Sequence, residues 1–244
     1  MLVLAIETST PAASVCLGSE AGIVANVEIG TGLPHLSRAH GAFVAPAIKY
    51  CLTTAGLDNT AVNGVAVSLG PGLFTGMRVG MATGQAFAHA RGLPMVGLAS
   101  LDLLAFPQRH VRRLICSVID ARREELFWAM YRSAPGGIQR VGEFRRGRPD
   151  TLAGEIEATT EDTLCVGEGA RMHTGLLESA GADVADGMGA HPSARALVQL
   201  ALPRFIREET RRPDELAPIY LRQADAQINW AKRGALHGGT AGGL

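Results

Sequence analysis

The sequence predicts an α/β protein made of two related halves. Short apolar runs that read as buried strands alternate with segments of helical period. "LVLAIE" (residues 2–7) opens the chain as a buried strand ending in an acid, and "RLICSVID" (residues 113–120) opens a second stretch in the same way. In each case a turn and a returning strand follow. That restart suggests an internal duplication, the alternative being two hairpins alike by coincidence.

The elements follow in order. "TSTPAA" is a turn, and "SVCLG" and "GIVANVEI" read as two further strands. A Gly/Pro segment, "GTGLPHLS", leads to a helix over residues 37–55, where apolar residues fall at 43, 44, 47, 48, 51, 52 and 55 and Gly56 supplies the stop. "GVAVSLG" is a buried strand. Residues 75–90 are a helix with Thr75 as its cap, "LPMVGLAS" is another strand, and "SLDLLAF" is a short helix capped by Ser100. In the second half "ARRE" is the turn, "ELFWAMY" the returning strand and "TLCVGEGA" a strand with a tight turn. Helices follow near 170–180 and 193–207. The divisions expected are a first domain over 1–106, a second over 107–212, a segment 213–232 packing back on the first, and a Gly-rich flexible tail over 233–244.

Composition narrows the function. Apolar residues make up 47% and charged residues 19%, so the chain is globular. Lys+Arg and Asp+Glu balance at 23 each, which gives no overall electrostatic grip on nucleic acid. The clusters "RRGR" (145–148) and "REETRR" (207–212) read as solvated surface. No apolar run is long enough to span a membrane, and the start lacks a basic leader. Cys16, Cys51, Cys116 and Cys165 form no C-x-x-C pair, which argues against structural zinc and for a reducing cytoplasm.

The informative stretch is "GPGLFTGMRVG" (70–80). A phosphate loop of the Walker type needs a lysine that is missing, and a dinucleotide fingerprint needs its third glycine one place earlier. No G-x-S-x-G elbow occurs. Within the helix Gly76, Gly80 and Gly84, then Ala88, recur every four residues, and Ala82, Ala86 and Ala90 form a second small stripe. Glycine costs about 1 kcal/mol against alanine in a helix interior, so this face is expected to meet another backbone closely. That backbone belongs to a partner helix or, as readily, to the chain's own sheet or neighbouring helix.

Other sites are weaker. His35 and His40 are five apart and so lie off one helical face, H-E-x-x-H is absent, and no metal site is expected. The remaining histidines, His191 among them, show no ligand-like companions. Glu7 and Asp120 end strands where an acid could bind magnesium or orient water, but turn hydrogen bonds explain them more simply.

These segments together resemble the TsaB (YeaZ) family of bacterial accessory proteins for tRNA threonylcarbamoyladenosine biosynthesis. The carriers are "LAIETSTPAASVCL", "GPGLFTGMRVGMATGQAFA", "GLPMVGLASLDLLA", "IDARREELFWAMY", "GEGA" and "PIYLR". The resemblance implies an actin-like, sugar-kinase-like (ASKHA) fold of two related α/β domains. It implies a non-catalytic scaffold pairing with the catalytic paralogue TsaD and the ATPase TsaE, or with a second copy when alone. tRNA would be met only through the complex, as would ATP, ADP and magnesium, with no cofactor or metal of the chain's own. The catalytic paralogue's H-x-x-x-H pair is absent, and the strand ends Glu7-Thr8-Ser9 and Asp120-Ala121-Arg122 lack the kinase D-x-G glycine. With Gly167 and Gly169 they would line at most a vestigial nucleotide cleft. A phosphotransferase of the same fold, or a metalloprotease, is the competing expectation. The partner contacts implied are His40, Phe43, Ala47, Gly70, Pro71, Gly72, Phe74, Thr75, Gly76, Arg78, Gly80, Gly84 and Gln85. On this reading Gly80→Arg or Gly84→Leu blocks association and spares the fold.

Overall fold

The structure, a computed structural model, describes residues 1–31, 40–186 and 189–221. His35, the start of the first helix at 37–39, Arg222 and the tail lie outside the described residues.

The first sheet contains β1 (Val3–Glu7), β2 (Ala13–Ser19), β3 (Gly22–Ile29), β4 (Gly64–Ser68) and β5 (Met95–Leu98), in the order β3-β2-β1-β4-β5. β1, β2 and β3 form an antiparallel meander, and β4 and β5 add in parallel. The second sheet contains β6 (Leu114–Arg122), β7 (Glu125–Ala134), β8 (Gly137–Gly147), β9 (Thr163–Val166) and β10 (Ala182–Val184). Its order, β10-β9-β6-β7-β8, repeats the first with the same directions. The two halves thus share one topology, and the fold is the duplicated actin-like one.

Strand alternation sorts the core. Leu4, Ile6, Val15, Leu17, Val65 and Val67 lie on one face of the first sheet, under α1 (His40–Thr54) and α2 (Phe74–Arg91). Val3, Ala5, Cys16 and Ala66 lie on the other, under Leu197, Val198, Ala201 and Phe205 of α7 (Ala194–Ile206). The sequence keeps α7 with the second half, yet it packs on the first sheet. α3 (Ser100–Ala105) stands between the sheets, with Leu103 in the core of the first and Leu101, Leu104 and Ala105 in the core of the second. The outer face of the second sheet is covered by α4 (Pro149–Glu157) and by Leu177 of α6 (Thr174–Ser179), while α5 (Glu168–Met172) packs at the end of β6.

The ends of α2 and α3 differ from expectation. Leu73 and Ala99 occupy the N-cap positions with no side-chain cap, so neither Thr75 nor Ser100 caps its helix. Ser100 lies one place inside, buried, with its hydroxyl 2.9 Å from that of Ser68. Thr75 is exposed. Gly56 does stop α1: its φ is 68°, and Leu57 N donates to Leu52 O at 2.9 Å.

The glycine face of α2 is turned inward, onto the first sheet. A Cβ at Gly76 would fall on the carbonyl oxygen of Thr8, one at Gly80 on the Thr8 hydroxyl, and one at Gly84 2.5 Å from Val67 Cγ1. The three are therefore not partner contacts; the backbone they approach is the chain's own β1 and the turn after it. Enlarging them should break the fold rather than an interface. Gly80→Leu and Gly84→Leu are each expected to cost about 2–3 kcal/mol through overpacking, roughly 5–10 °C in Tm for a chain of this size. Thermal unfolding of the purified variants checks this, and unchanged melting would return the glycines to the surface.

Candidate functional site: the α1–α2 face and the cleft between the sheets

The glycine turn that starts α2 is built against the β1–β2 turn. Leu73 N donates to Ser9 O at 2.7 Å, and a Cβ at Gly72 would fall on that same oxygen. Gly70 has a φ of 88°, and a side chain there would strike Met77 Sδ. Gly70 and Pro71 are buried. This turn is a packing device of the monomer, so Gly70, Pro71 and Gly72 hold α2 rather than face a partner.

Other expected contacts are also internal. Ala47 is buried in the core beneath α1. His40 is buried against Gly76, and its Nε2 has no partner. Gln85 donates its amide to Pro213 O at 2.7 Å and Leu216 O at 3.3 Å, so it ties down the C-terminal strap. Phe43 is half-buried in an apolar groove with Val27, Ile29, Pro46 and Tyr50.

Phe74, Thr75 and Arg78 remain exposed. They share the outer side of α2 with Ala82, Ala86 and Ala90, the second small stripe. Beside it α1 exposes Gly41, Ala42, Ala45, Pro46, Lys49 and Tyr50. Neither helix contains an Asp or Glu.

Glu7, at the end of β1, and Asp120, two residues before the end of β6, do the same job. Glu7 Oε1 accepts from Ser9 N and from Ser9 Oγ, each at 2.5 Å. Asp120 Oδ1 accepts from Arg122 N at 2.8 Å, and its Oδ2 lies 2.9 Å from Arg122 Nη1. Each acid closes a turn on the backbone two residues later, and the correspondence is another trace of the duplication. Glu7 is wholly buried, its Oε2 is unpartnered, and desolvation pushes its carboxyl up against the lowering pull of Ser9 and Ser68. Thr8 donates its hydroxyl to Gly76 O at 2.8 Å. Glu7, Thr8, Ser9 and Asp120 are thus engaged in the chain's own turns.

Gly167 and Gly169 serve the same packing. A Cβ at Gly167 would fall on Val118 O, and one at Gly169 would come within 2.9 Å of the Ile119 carbonyl carbon. Between them stands Glu168, which the sequence quoted only as part of "GEGA". Burial and the charge of Asp120 push its carboxyl up to about 7, against Arg122. Its Oε2 lies 3.5 Å from His191 Nδ1, and His191 Nε2 lies 3.4 Å from Thr31 Oγ1. His191 therefore has a companion that sequence spacing could not show, since the two residues belong to separate elements. Burial and Arg171 lower its pKa. Among the described residues no three His, Cys, Asp or Glu side chains assemble as a metal site.

Glu168 carries a pH signature. Its folded value, about 7, exceeds its unfolded one, so the folded state holds the extra proton and loses stability as pH rises toward and through 7. Glu168→Gln should flatten that fall. Melting temperatures of wild type and variant from pH 5 to 8 check it (a window set by the ordinary and shifted carboxylate values, about 4.5 and about 7). Parallel curves would show that Glu168 does not titrate there.

Comparison with known proteins accords with this geometry. The family pattern described as "TsaD: tRNA N6-adenosine threonylcarbamoyltransferase" matches residues 33–230. The chain is 29% identical over 235 residues to the tRNA threonylcarbamoyladenosine biosynthesis protein TsaB of Escherichia coli, covering 95% of this chain and 98% of that one. It is 33% identical over 228 residues to an uncharacterised protein of Mycobacterium tuberculosis, covering 92% and 93%. The solved structure of YeaZ from Pseudomonas aeruginosa superposes with a TM-score of 0.76 at 26% identity, covering 90% of this chain and 99% of that one. With that pattern along most of its length and this fold, the chain belongs to the TsaD family, within its TsaB (YeaZ) group.

Proposed function

We propose that the chain is a non-catalytic scaffold in the biosynthesis of N6-threonylcarbamoyladenosine on tRNA. It pairs with the catalytic paralogue TsaD and serves a complex that includes the ATPase TsaE. The observation that carries the reading is the outer face of α1 and α2: two neighbouring helices with no acid, exposing small residues where another helix pair can approach. The engagement of Glu7 and Asp120 in their own turns also supports it. Nucleotide and magnesium enter on this reading with the partners, and tRNA is met through the complex. A second copy of the chain can use the same face when no paralogue is present. Among the described residues no helix is long and apolar enough to cross a membrane, and the cytoplasm, where tRNA is modified, is the proposed location.

The competing reading is an actin-like phosphotransferase, favoured by the duplicated sheets, each with an acid that closes the turn after its first strand. Titration calorimetry of the isolated chain with ATP and magnesium separates the two: heat of binding would support the phosphotransferase.

The scaffold reading places the interface on the second small stripe. Ala86→Arg is exposed and should change stability by less than about 0.5 kcal/mol, while abolishing the one-to-one complex with the paralogue. Size-exclusion chromatography with light scattering reads both species. A complex that forms as well with the variant as with wild type would remove this face from the interface.

A further inference from the structure

We propose that the groove between the edge of β5, the end of α7 and the C-terminal strap is a binding site for the free carboxyl terminus of a peptide whose last residue is apolar. No residue of α1 or α2 lines it. The groove has a volume of about 490 Å³, within the range of small-ligand sites.

Its wall is a length of sheet edge that the fold leaves open. Met95 N donates to Arg211 O at 2.9 Å, and Arg211 N donates to Met95 O at 2.8 Å. Backbone groups alternate sides along a strand, so the N–H and C=O of Gly97 are directed to the same edge as those of Met95. Leu98 turns the other way and accepts from Leu69 N, just after β4, at 2.8 Å. The strap residue that would continue the ladder opposite Gly97 is Glu209. It is drawn off, because its N–H closes the end of α7 on Arg204 O at 2.9 Å. Among the described residues no other element answers Gly97. The opening is one residue pair long, since α3 begins at Ser100. It admits the end of a peptide and not a full strand.

Charge sets which end. Arg204 is half-buried in the groove, and among the described residues its guanidinium makes no hydrogen bond or ion pair. Two acids feel its charge, and both are engaged elsewhere. Asp102 accepts from the Tyr131 hydroxyl at 2.8 Å, and Glu209 is held by Arg207 at 2.6 Å. Arg211 stands exposed on the same wall, and among the described residues no acid lies against it. With Glu209 answered by Arg207, the groove keeps a positive balance. An uncommitted guanidinium fork beside a free backbone N–H is a receptor for a carboxylate. The floor of Leu69, Met95, Val96 and Leu216 is apolar and takes the last side chain. A free phosphate would use the arginines but neither the Gly97 carbonyl nor this floor.

The test titrates the full, isotope-labelled chain with acetyl-Gly-Gly-Leu as the free acid and as its C-terminal amide, followed by NMR shifts. Peptides ending in valine and in phenylalanine run alongside. The free acid is expected to bind one to one with a Kd on the order of 100 μM, moving the Gly97 amide signal. The amide should bind about tenfold more weakly or worse. Arg204→Gln should weaken the acid about tenfold, and Arg204→Lys by less, because lysine keeps the charge without the fork. Arg211→Glu, on an exposed residue, should weaken it about tenfold and decides the matter if the Arg204 variants melt early. All variants should still pair with the paralogue, so failure here leaves the scaffold reading standing. Acid and amide binding alike, or well-folded Arg204 and Arg211 variants binding as wild type does, would overturn the proposal. So would the absence of saturable binding by any of the three peptides up to about 5 mM. Inorganic phosphate binding as tightly as the free acid would make the groove a plain anion site and overturn it too.

Discussion

The structure depends on how closely α2 lies on β1 and its turn. Three glycines at four-residue spacing leave no atom between the helix and the Thr8 backbone, the Thr8 hydroxyl and Val67. Thr8 then donates its own hydroxyl to the carbonyl of Gly76. Glycine in a helix interior costs about 1 kcal/mol relative to alanine, so this approach has to be repaid by burial and by that hydrogen bond. Because the small side is spent inward, the opposite side of α2 is fixed as the solvent face. The glycine turn before the helix and the strap held by Gln85 take their positions from it.

Much of this was legible. Apolar runs such as "LVLAIE" and "GVAVS" are the mark of strands buried on both faces, and the restart at residue 113 is repeated strand for strand in the second sheet. Glycine spacing announced a close approach but could not say to what. A face without side chains fits a sheet as well as a helix, and periodicity carries no direction toward the core. Ala82 and Ala86 had the same spacing and are the ones that face out. The caps assigned to Thr75 and Ser100 failed because each lies inside its helix by one or two places, an error within the usual uncertainty of helix ends.

Contacts made across long stretches of sequence were out of reach. Glu168 and His191 meet only because α5 and the approach to α7 converge at the cleft. α7 has the apolar period of any core helix, and nothing local states which sheet it covers. It reaches the first sheet through Leu197, Val198 and Phe205, and its N-terminal Ala194 N donates to Ser14 Oγ of β2 at 2.8 Å. The strap has almost no regular structure to read: its hold comes from separate backbone contacts with Met95, Leu69 and Gln85.

The duplicated halves have diverged in what surrounds equivalent positions. Each first strand carries near its end an acid that closes the following turn, but Glu7 is wholly sealed in, while Asp120, also buried, is paired with the exposed Arg122 guanidinium. The sheets are joined through α3, whose Leu103 serves one core and whose Leu101 and Leu104 serve the other, with Asp102 accepting from the Tyr131 hydroxyl at 2.8 Å. α7 and the strap add two further ties from the second half to the first. A fold that moves its halves apart to admit a ligand gains from a loose connection. Here one short helix is buried in both cores and two later segments return across the boundary. That construction favours constancy of shape, and a surface such as the α1–α2 face, which recognises by fit and by a few fixed groups, works best on a body that does not change.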